Sequence, residues 1–313
     1  MRSLSIIIPV YNECDSLRAL AAGIMQNIPE GITCTQMLFV DDGSIDQSFD
    51  IIRSLSEEYP CVRAVRFPVN CGKAAALEAG FSHSTGDIVI TMDADLQDDP
   101  KEIPRFIEKL DEGYDLVSGW KEQRQDPWHK TIPSRFFNWV VGSVFALRLH
   151  DFNCGFKAFR GTLARQLRVY GELHRYIPVL AKYRGARIAE IPVHHHPREH
   201  GHSKYGVERL LKGSLDLITV VVTTRFLRRP LHFFGGLGLL AALVGGGCLL
   251  YLMIIWFGGV RPIGNRPLLF YGMALLAVGV QLISLGVVAE LFLRFNHDAM
   301  KPVITERLGF GDD

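Results

Sequence analysis

The sequence predicts an α/β protein with a mostly parallel, doubly wound sheet, followed by an amphipathic interfacial helix and two transmembrane helices. Three observations support this fold class. Apolar, β-branched runs alternate with helical patterns about every 25–30 residues, which is typical of strand–helix–strand units. Polar side chains follow the end of each strand-like run. Two long apolar runs without charged residues lie near the C-terminus.

The predicted strands are short apolar runs bounded by turn residues. In chain order they are Leu4–Val10, Gln36–Val40, Cys61–Phe67, Asp87–Met92, Asp115–Gly119 and Ala189–Val193. Helical spacing covers Ser16–Ile28, a helix runs from Asn70 to about His83, and Pro100 begins another. Ser44–Gln47 has a capping-box pattern, which predicts the start of a further helix there.

Polar clusters at the strand ends indicate a ligand site. They are Tyr11–Glu13, Asp41–Asp42, Asn70–Lys73, Asp93–Gln97 and Lys121–Arg124. The carboxyl ends of parallel strands meet at one edge, and open α/β sheets bind ligands along that edge. We therefore expect the five clusters to form a single site.

Asp93, Asp95 and Gln97 are the candidate metal ligands. They follow a strand-like run at positions i, i+2 and i+4. An oxygen-only set of this kind suits Mg²⁺ or Mn²⁺ held jointly with substrate phosphates. Acidic residues are also common in solvated turns, so the metal interpretation depends on the other clusters at the same edge.

Composition excludes some functions. The chain has 313 residues, is 48% hydrophobic and carries a net charge of +1, so no global field favours nucleic acid. The six cysteines show no C-x-x-C pair or zinc spacing, and we assign them no role. Consecutive side chains on an extended segment point to alternating faces, so His194–His196 cannot all bind one ion.

The two apolar runs predict membrane spans. Phe233–Phe257 and Leu268–Ala289 contain no Asp, Glu, Lys or Arg. At about 1.5 Å per residue, each is long enough to cross a hydrocarbon core of about 30 Å. Arginine and lysine flank the pair on both outer sides, which favours both termini in the cytoplasm. Glycines in the first run permit close helix packing, either within one chain or in a homo-oligomer.

Four regions follow from these patterns: a cytoplasmic catalytic domain (1–206), an amphipathic juxtamembrane helix (207–230), two transmembrane helices with a short outer loop (231–295) and a cytoplasmic tail (296–313). The apolar stripe within 207–227 favours a helix at the bilayer surface. A packed helix of the soluble domain is the alternative, because periodicity alone does not separate the two.

The motifs resemble those of family 2 glycosyltransferases with the GT-A fold, of the dolichol- and polyprenyl-phosphate sugar synthase type. The segments that carry the resemblance are Ile8–Glu13, Asp41–Ser44, Asn70–Lys73, Asp93–Gln97, Asp151–Phe156 and Arg198 with Gly201–Tyr205. The two C-terminal spans are similar to those of bacterial members. The resemblance implies a multi-pass protein of the bacterial inner membrane.

The resemblance also implies a role for each motif residue. The nucleotide-binding residues would be Pro9, Tyr11, Asn12, Glu13, Asp41, Asp42, Lys73 and Asp93. Asp93, Asp95 and Gln97 would hold Mg²⁺ or Mn²⁺. The acceptor phosphate would be bound by Arg135, Arg198, Ser203 and Lys204. Asp95 and Asp151 would act at the reacting centre, where Lys121 stands in place of the arginine of family members, with Arg124 as the alternative.

The implied reaction is inverting transfer of one sugar from a nucleotide-diphosphate sugar, favoured as a UDP-sugar, to a polyprenyl phosphate such as undecaprenyl phosphate. A GDP-mannose-dependent mannosyltransferase is the alternative. A processive polysaccharide synthase is less favoured, because the chain lacks a Gln-x-x-Arg-Trp motif and has only two predicted spans. A non-enzymatic membrane scaffold is disfavoured by the intact acidic motif.

Overall fold

The computed structural model describes residues 2–121, 138, 141–171, 173–194 and 230–295. The chain divides into two compact units, Met1–Leu217 and Ile218–Asp313. Residues 207–229 of the predicted amphipathic helix and the predicted tail lie outside the described residues. The four predicted regions therefore remain predictions in their exact bounds.

The strands are β1 (Arg2–Val10), β2 (Ile32–Asp41), β3 (Val62–Arg66), β4 (Ile88–Thr91), β5 (Leu116–Lys121), β6 (Lys157–Arg160) and β7 (Ile188–Val193). Within the described residues they form one seven-stranded sheet in the order β3-β2-β1-β4-β6-β5-β7. β6 runs antiparallel to β4 and β5, and the other described pairings are parallel. The predicted mostly parallel α/β sheet is confirmed, and β6 is an addition that the sequence did not predict.

The helices of the first unit are α1 (Leu17–Gln26), α2 (Ser48–Glu58), α3 (Lys73–His83), α4 (Ile103–Asp111), α5 (Gly161–Ala164) and α6 (Ile177–Tyr183). Two 3₁₀ turns, Pro100–Glu102 and Leu173–Tyr176, precede α4 and α6. Pro100 therefore opens a 3₁₀ turn that continues into the predicted helix.

The predicted capping box is wrong. The Ser44 hydroxyl accepts a hydrogen bond from the backbone N–H of Asn12 at 3.0 Å, so it is used by the loop after β1. Asp46 instead accepts from the backbone N–H of Ser48 at 3.0 Å. As a result α2 begins at Ser48, and its N-cap residue Gln47 makes no side-chain cap.

The core of the first unit lies on both faces of the sheet. Consecutive residues Ile6, Ile7 and Ile8 of β1 are all fully buried, as expected for a central parallel strand covered by helices on each side. Each such side chain contributes about 1.5–3 kcal/mol on burial. This packing fixes the strand ends from which the candidate site extends.

The second unit consists of two long apolar helices, α7 (Pro230–Phe257) and α8 (Pro267–Phe295). Their candidate spans, Leu231–Phe257 and Pro267–Phe292, have mean hydropathies of 2.3 and 2.1. Most of their side chains are exposed, unlike those of core helices in a soluble protein. The predicted pair of apolar helices is confirmed, and their length and composition suit membrane spans.

Glycine permits close contact between α7 and α8. A Cβ atom added at Gly245 would lie 2.7 Å from the backbone oxygen of Gly272. By contrast, a Cβ at the neighbouring Gly246 would meet nothing within 4 Å. At Gly245, the close helix packing that the glycine pattern predicts occurs between two helices of the same chain.

Candidate active site

The acid loop, Asp93–Gln97, leaves the C-terminal end of β4 in a defined conformation. Leu96 adopts a left-handed backbone conformation with φ of 58°. The Asp95 carboxylate accepts a hydrogen bond from the backbone N–H of Gln97 at 3.3 Å. Asp98 accepts from the backbone N–H of Asp93, also at 3.3 Å. These contacts hold the three predicted metal ligands in one turn.

Lys73 and Asp93 form an ion pair that joins the start of α3 to the end of β4. The pair lies at the edge of the sheet where the parallel strands have their carboxyl ends, which is called the ligand edge below. Burial alone would raise the pKa of Asp93, but the charges of Lys73 and Lys121 outweigh it and lower that pKa to about 2. Asp93 is therefore ionised at any physiological pH. Its side chain is still 30% exposed and that of Lys73 34%, so a ligand can reach both.

Asp98 and Lys121 add further charge beside the acid loop. Asp98 is 1% exposed, and burial together with Asp93 and Asp95 raises its pKa to about 6. Burial would lower the pKa of Lys121, yet the nearby carboxylates of Asp98, Asp93 and Asp151 raise it above its ordinary value. Lys121 thus stays charged near these acids, and its predicted role at the reacting centre stays a prediction.

The loop before β6 closes against the acid loop. A Cβ atom added at Gly155 would lie 2.6 Å from both carboxylate oxygens of Asp93, so only glycine fits there without displacing Asp93. The Thr91 hydroxyl donates to the backbone oxygen of Gly155 at 2.7 Å. The buried Lys157 ammonium donates to the backbone oxygens of Phe152 and Cys154. The antiparallel β6 is what brings this loop to the ligand edge.

Asp151 lies in the same loop and is almost fully buried. Its carboxylate accepts from the backbone N–H of Asn153 at 3.0 Å. Its own backbone N–H donates to Glu190 of β7 at 2.9 Å. Asp151 is also among the carboxylates that raise the pKa of Lys121, and its predicted role at the reacting centre stays a prediction.

Asn12 and Asp41 hold the loops after β1 and β2. Asn12 has φ of 57°, and its side-chain oxygen accepts from the backbone N–H of Ile45 at 2.9 Å. The buried Asp41 carboxylate accepts from the backbone N–H of Ser44 at 3.0 Å and pairs with Arg66 at 3.1 Å. Pro9, Tyr11 and Glu13 are half-buried at the end of β1. Direct nucleotide contact by these residues stays a prediction.

Asp42 connects β2 to the start of α3. Its two carboxylate oxygens accept hydrogen bonds from the backbone N–H groups of Cys71 and Gly72, at 2.7 and 2.9 Å. These N–H groups lie at the N-terminal end of α3, where a carboxylate is favoured. Because Lys73 is the first residue of α3, Asp42 fixes the backbone that presents Lys73 to Asp93.

The oxygen donors of the acid loop fit a hard divalent cation. Asp95, Gln97 and the exposed part of Asp93 supply carboxylate and amide oxygens in one turn, and phosphates of a ligand would complete the set. Asp93 and Asp95 repel the ionised form of Asp98 and so raise the pKa of Asp98. A bound cation would relieve this repulsion. Among the residues that the structure describes, no group of three or more His, Cys, Asp or Glu side chains is placed to hold a metal ion by itself. An open site shared with substrate agrees with both facts.

Several predicted residues lie outside the described residues. They are Arg124, Arg135, Arg198, Ser203 and Lys204, together with the histidines from His195 to His202. The structure therefore describes the residues predicted for the donor side, and the residues predicted to bind the acceptor phosphate stay predictions.

The structure adds residues that sequence reasoning missed. Asp98, Lys157 and His174 lie near Asp93, and Gly155, which belongs to a recognised motif, packs against Asp93 in a way that the motif did not predict. Asp98 directly follows the motif Asp93–Gln97, and Lys157 directly follows the motif Asp151–Phe156. Their positions next to these motifs could have indicated that they belong to the site. His174 belongs to no pattern in the sequence, and only the fold brings it close to Lys73 and Asp93.

Solved structures share this fold at low sequence identity. Glucosyl-3-phosphoglycerate synthase from Mycobacterium tuberculosis, in complex with Mn²⁺, UDP and glucosyl-3-phosphoglycerate, matches with a TM-score of 0.54 and 18% identity over 71% of this chain and 80% of that chain. Its complex with Mn²⁺ and UDP-glucose matches with a TM-score of 0.53 and 20% identity, over 71% and 79%. These similarities concern the fold alone, which is the GT-A glycosyltransferase fold.

The chain belongs to glycosyl transferase family 2, which matches residues 5–184. Dodecaprenyl-phosphate galacturonate synthase of Rhizobium johnstonii is 36% identical over 320 residues, 99% of this chain and 93% of that protein. Undecaprenyl-phosphate 4-deoxy-4-formamido-L-arabinose transferase of Edwardsiella ictaluri is 34% identical over 297 residues, 94% and 90% of the two chains. The resemblance to polyprenyl-phosphate sugar synthases is confirmed by these relatives.

Proposed function

We propose that this protein transfers a single sugar from a nucleotide-diphosphate sugar to a polyprenyl phosphate at the cytoplasmic face of the bacterial inner membrane, with inversion at the anomeric carbon. The observation that carries the proposal is the acid loop at the ligand edge, open to a ligand and flanked by Lys73 and Lys121. Relatives of nearly the same length that are named for transfer to a polyprenyl phosphate support the acceptor.

A divalent cation, Mg²⁺ or Mn²⁺, is part of the proposal. Asp95, Gln97 and Asp93 would hold it, and when bound it would neutralise charge on the leaving diphosphate. The fold neighbours with Mn²⁺ and UDP support a metal in this kind of fold. Metal dependence is accordingly expected, with either ion.

The chain's own residues position the donor. Asp42 fixes the start of α3, Lys73 then holds Asp93, and Asp93 lies against Gly155. Lys121 supplies a lasting positive charge next to these acids. Such preorganised charges stabilise a developing diphosphate without rearrangement during the reaction.

The acceptor side follows from the chemistry of a monophosphate. A lipid monophosphate is already anionic near neutral pH, so it requires cations that hold it in line with the anomeric carbon rather than a strong base. Arg135, Arg198, Ser203 and Lys204 are proposed for this task, with Arg124 supporting Lys121. Asp151 is proposed to lie where donor and acceptor meet.

The donor is proposed to be a UDP-sugar, and GDP-mannose is the alternative. The named relatives transfer galacturonate and a formamido-arabinose, so a sugar acid and a 4-substituted pentose are the first sugars to test. The decisive assay incubates the purified protein with Mg²⁺ or Mn²⁺, undecaprenyl phosphate and a panel of UDP- and GDP-sugars, with lipid products read by mass spectrometry. A product with one sugar per lipid supports the proposal, a polymer indicates a processive synthase, and no product with any donor favours a scaffold.

Asp95→Ala should abolish transfer while leaving membrane insertion intact, because it removes a ligand of the proposed cation. Turnover of purified wild-type and variant protein is the measurement. Asp15→Ala, the same change at an exposed acid before α1, is the control and should retain activity. Wild-type turnover by Asp95→Ala would contradict the metal assignment.

A further inference from the structure

Gln281 is a polar side chain on the outer surface of α8. It lies close to the midpoint of the candidate span Pro267–Phe292, about 2 Å from it at about 1.5 Å per residue. The side chain is exposed and makes no hydrogen bond to any residue that the structure describes. A hydrocarbon core holds no water to bond the amide, so a polar group at this depth requires a partner from another helix.

The position of Gln281 on α8 is opposite the contact with α7. Gly272, Gly279 and Gly286 recur every seven residues and are all buried against α7. A Cβ atom added at Gly279 would lie 2.6 Å from the backbone oxygen of Gly238. Gln281 follows Gly279 by two residues, which turns it about 200° around the helix. The α7 helix of the same chain therefore does not supply the partner of this amide.

Three neighbours of Gln281 on this face are small. Ala277 and Ala274 are exposed one and two turns before it, and Ser284 is exposed one turn after it. Small side chains allow a second helix to approach closely in a membrane. The Ser284 hydroxyl donates to the backbone oxygen of Val280 at 3.0 Å, so its hydrogen bond is made within α8. Gln281 is thus the group on this face that requires a partner from outside.

We propose that the Gln281 side chain forms a hydrogen bond with the same residue of a second copy of this chain, so that two α8 helices associate through this face. Copies inserted in one membrane share an orientation, so identical residues lie at the same depth and meet at a symmetry axis. An amide both donates and accepts, so two copies satisfy each other. The inference rests on the proposed membrane location of α7 and α8.

The α7 helix of a second copy is a poorer partner for this amide. Gly238 of α7 lies against Gly279 of α8, so residues 239–242 of α7 lie at about the depth of Gln281. All four of these residues are leucine or alanine, which offer no side-chain hydrogen bond. A contact between α8 and α7 of two copies would leave the amide unpaired, whereas a contact between two α8 helices pairs it.

Cysteine cross-linking in native membranes tests which face is used. In a cysteine-free background, a short bis-maleimide should link Ala277→Cys into a dimer, because this position lies one turn from Gln281 and leaves the amide in place. Leu240→Cys is the matched control, since Leu240 is 59% exposed at about the same depth on α7, and it should stay monomeric. A dimer through Leu240→Cys alone, or a product of Ala277→Cys with a different protein, would overturn the inference.

Energy transfer between dye-labelled copies of the purified full-length protein in proteoliposomes measures the strength of association. Gln281→Leu removes the amide at similar volume, and we expect its association constant to fall about threefold to thirtyfold. Ala277→Phe keeps the amide but blocks close approach, so it should weaken association as well. Ser284→Ala is the matched control on the same face and should associate like the wild type, because its hydroxyl bonds within α8.

Wild-type association by Gln281→Leu would overturn the inference, as would a wild type that stays monomeric in the proteoliposomes. Either result would leave the proposed transferase activity standing, because the candidate active site is described within the first unit. Recovery of the wild-type protein in the soluble fraction of cells would instead contradict the proposed membrane location itself.

Discussion

At the residue scale, the two carboxylates of the acid loop and the adjacent Asp98 lie near two lysines, Lys73 of α3 and Lys121 of β5. Lys73 pairs with Asp93, and Lys121 is held in its charged form by the surrounding acids. Asp98 is the member that the lysines compensate least, because burial and its acidic neighbours raise its pKa to about 6. This imbalance makes the loop sensitive to pH and to a bound cation.

Asp98 gives a pH-dependent prediction. Its pKa is about 3.9 in an unfolded chain and about 6 in the folded protein, so the folded state binds the proton more tightly. The stability that this adds is present below pH 4 and is lost as pH rises from about 4 to about 6. Asp98→Asn carries no charge and should therefore gain stability relative to the wild type across this window, on the order of 3 kcal/mol at pH 7.

Thermal melting of both proteins without divalent cations, between pH 4.5 and 7.5, measures this difference. The comparison with the variant removes the contributions of carboxylates that do not interact with Asp98. A difference in melting temperature that does not change with pH would contradict the assignment.

Sequence reasoning identified the acid loop and Lys73 because strand periodicity and motif spacing place them at the same edge. It did not predict which hydrogen bonds the side-chain oxygens of the predicted site residues accept. The carboxylate of Asp42 accepts hydrogen bonds from the backbone N–H groups of Cys71 and Gly72, and the side-chain oxygen of Asn12 accepts one from the backbone N–H of Ile45. Such contacts depend on how loops distant in sequence meet, and no local pattern encodes that.

At the scale of elements, the strands and helices with strong periodicity were predicted and β6 was not. β6 is only four residues long, and its antiparallel pairing with β4 and β5 is not encoded in its own composition. The capping-box error has a similar cause. The local pattern at Ser44 was correct as a turn signal, but the loop after β1 supplied a competing donor.

The contact between α7 and α8 gives a prediction at this scale. Gly245→Ala should destabilise the helix pair, because the added methyl group would collide with the backbone at Gly272. Overpacking of this kind typically costs about 1–3 kcal/mol. Gly246→Ala is the matched control, since it makes the same change one residue away where no atom lies within 4 Å.

Thermal stability of the two purified variants in the same detergent provides the measurement. We expect a lower melting temperature for Gly245→Ala and a wild-type value for Gly246→Ala. Equal melting temperatures would show that close contact at Gly245 does not support the pair.

At the scale of the whole molecule, an α/β unit and a pair of apolar helices occupy one chain. The sequence predicted both, because a long uncharged run is among the clearest signals in any sequence. The distribution of arginine and lysine also predicts an orientation, with both termini in the cytoplasm.

Cysteine labelling tests this orientation. In a cysteine-free background, Val260→Cys lies between the two spans and Ile45→Cys lies in the first unit, and the native residues are 44% and 89% exposed. A membrane-impermeant maleimide should label Val260→Cys in intact spheroplasts and Ile45→Cys only after lysis. The reverse pattern would place the α/β unit outside the cytoplasm.

The antiparallel β6 has an evolutionary consequence through Gly155. The loop that carries Asp151 also packs its glycine against Asp93, so the proposed acceptor and donor sides share one piece of backbone. Under the proposed roles, we expect a relative that accepts a new lipid through changes in this loop to retain the glycine, because its loss would displace Asp93. A change of acceptor is therefore expected to constrain the donor site as well. A loop transferred from a relative should support activity only when it retains a glycine at the position of Gly155.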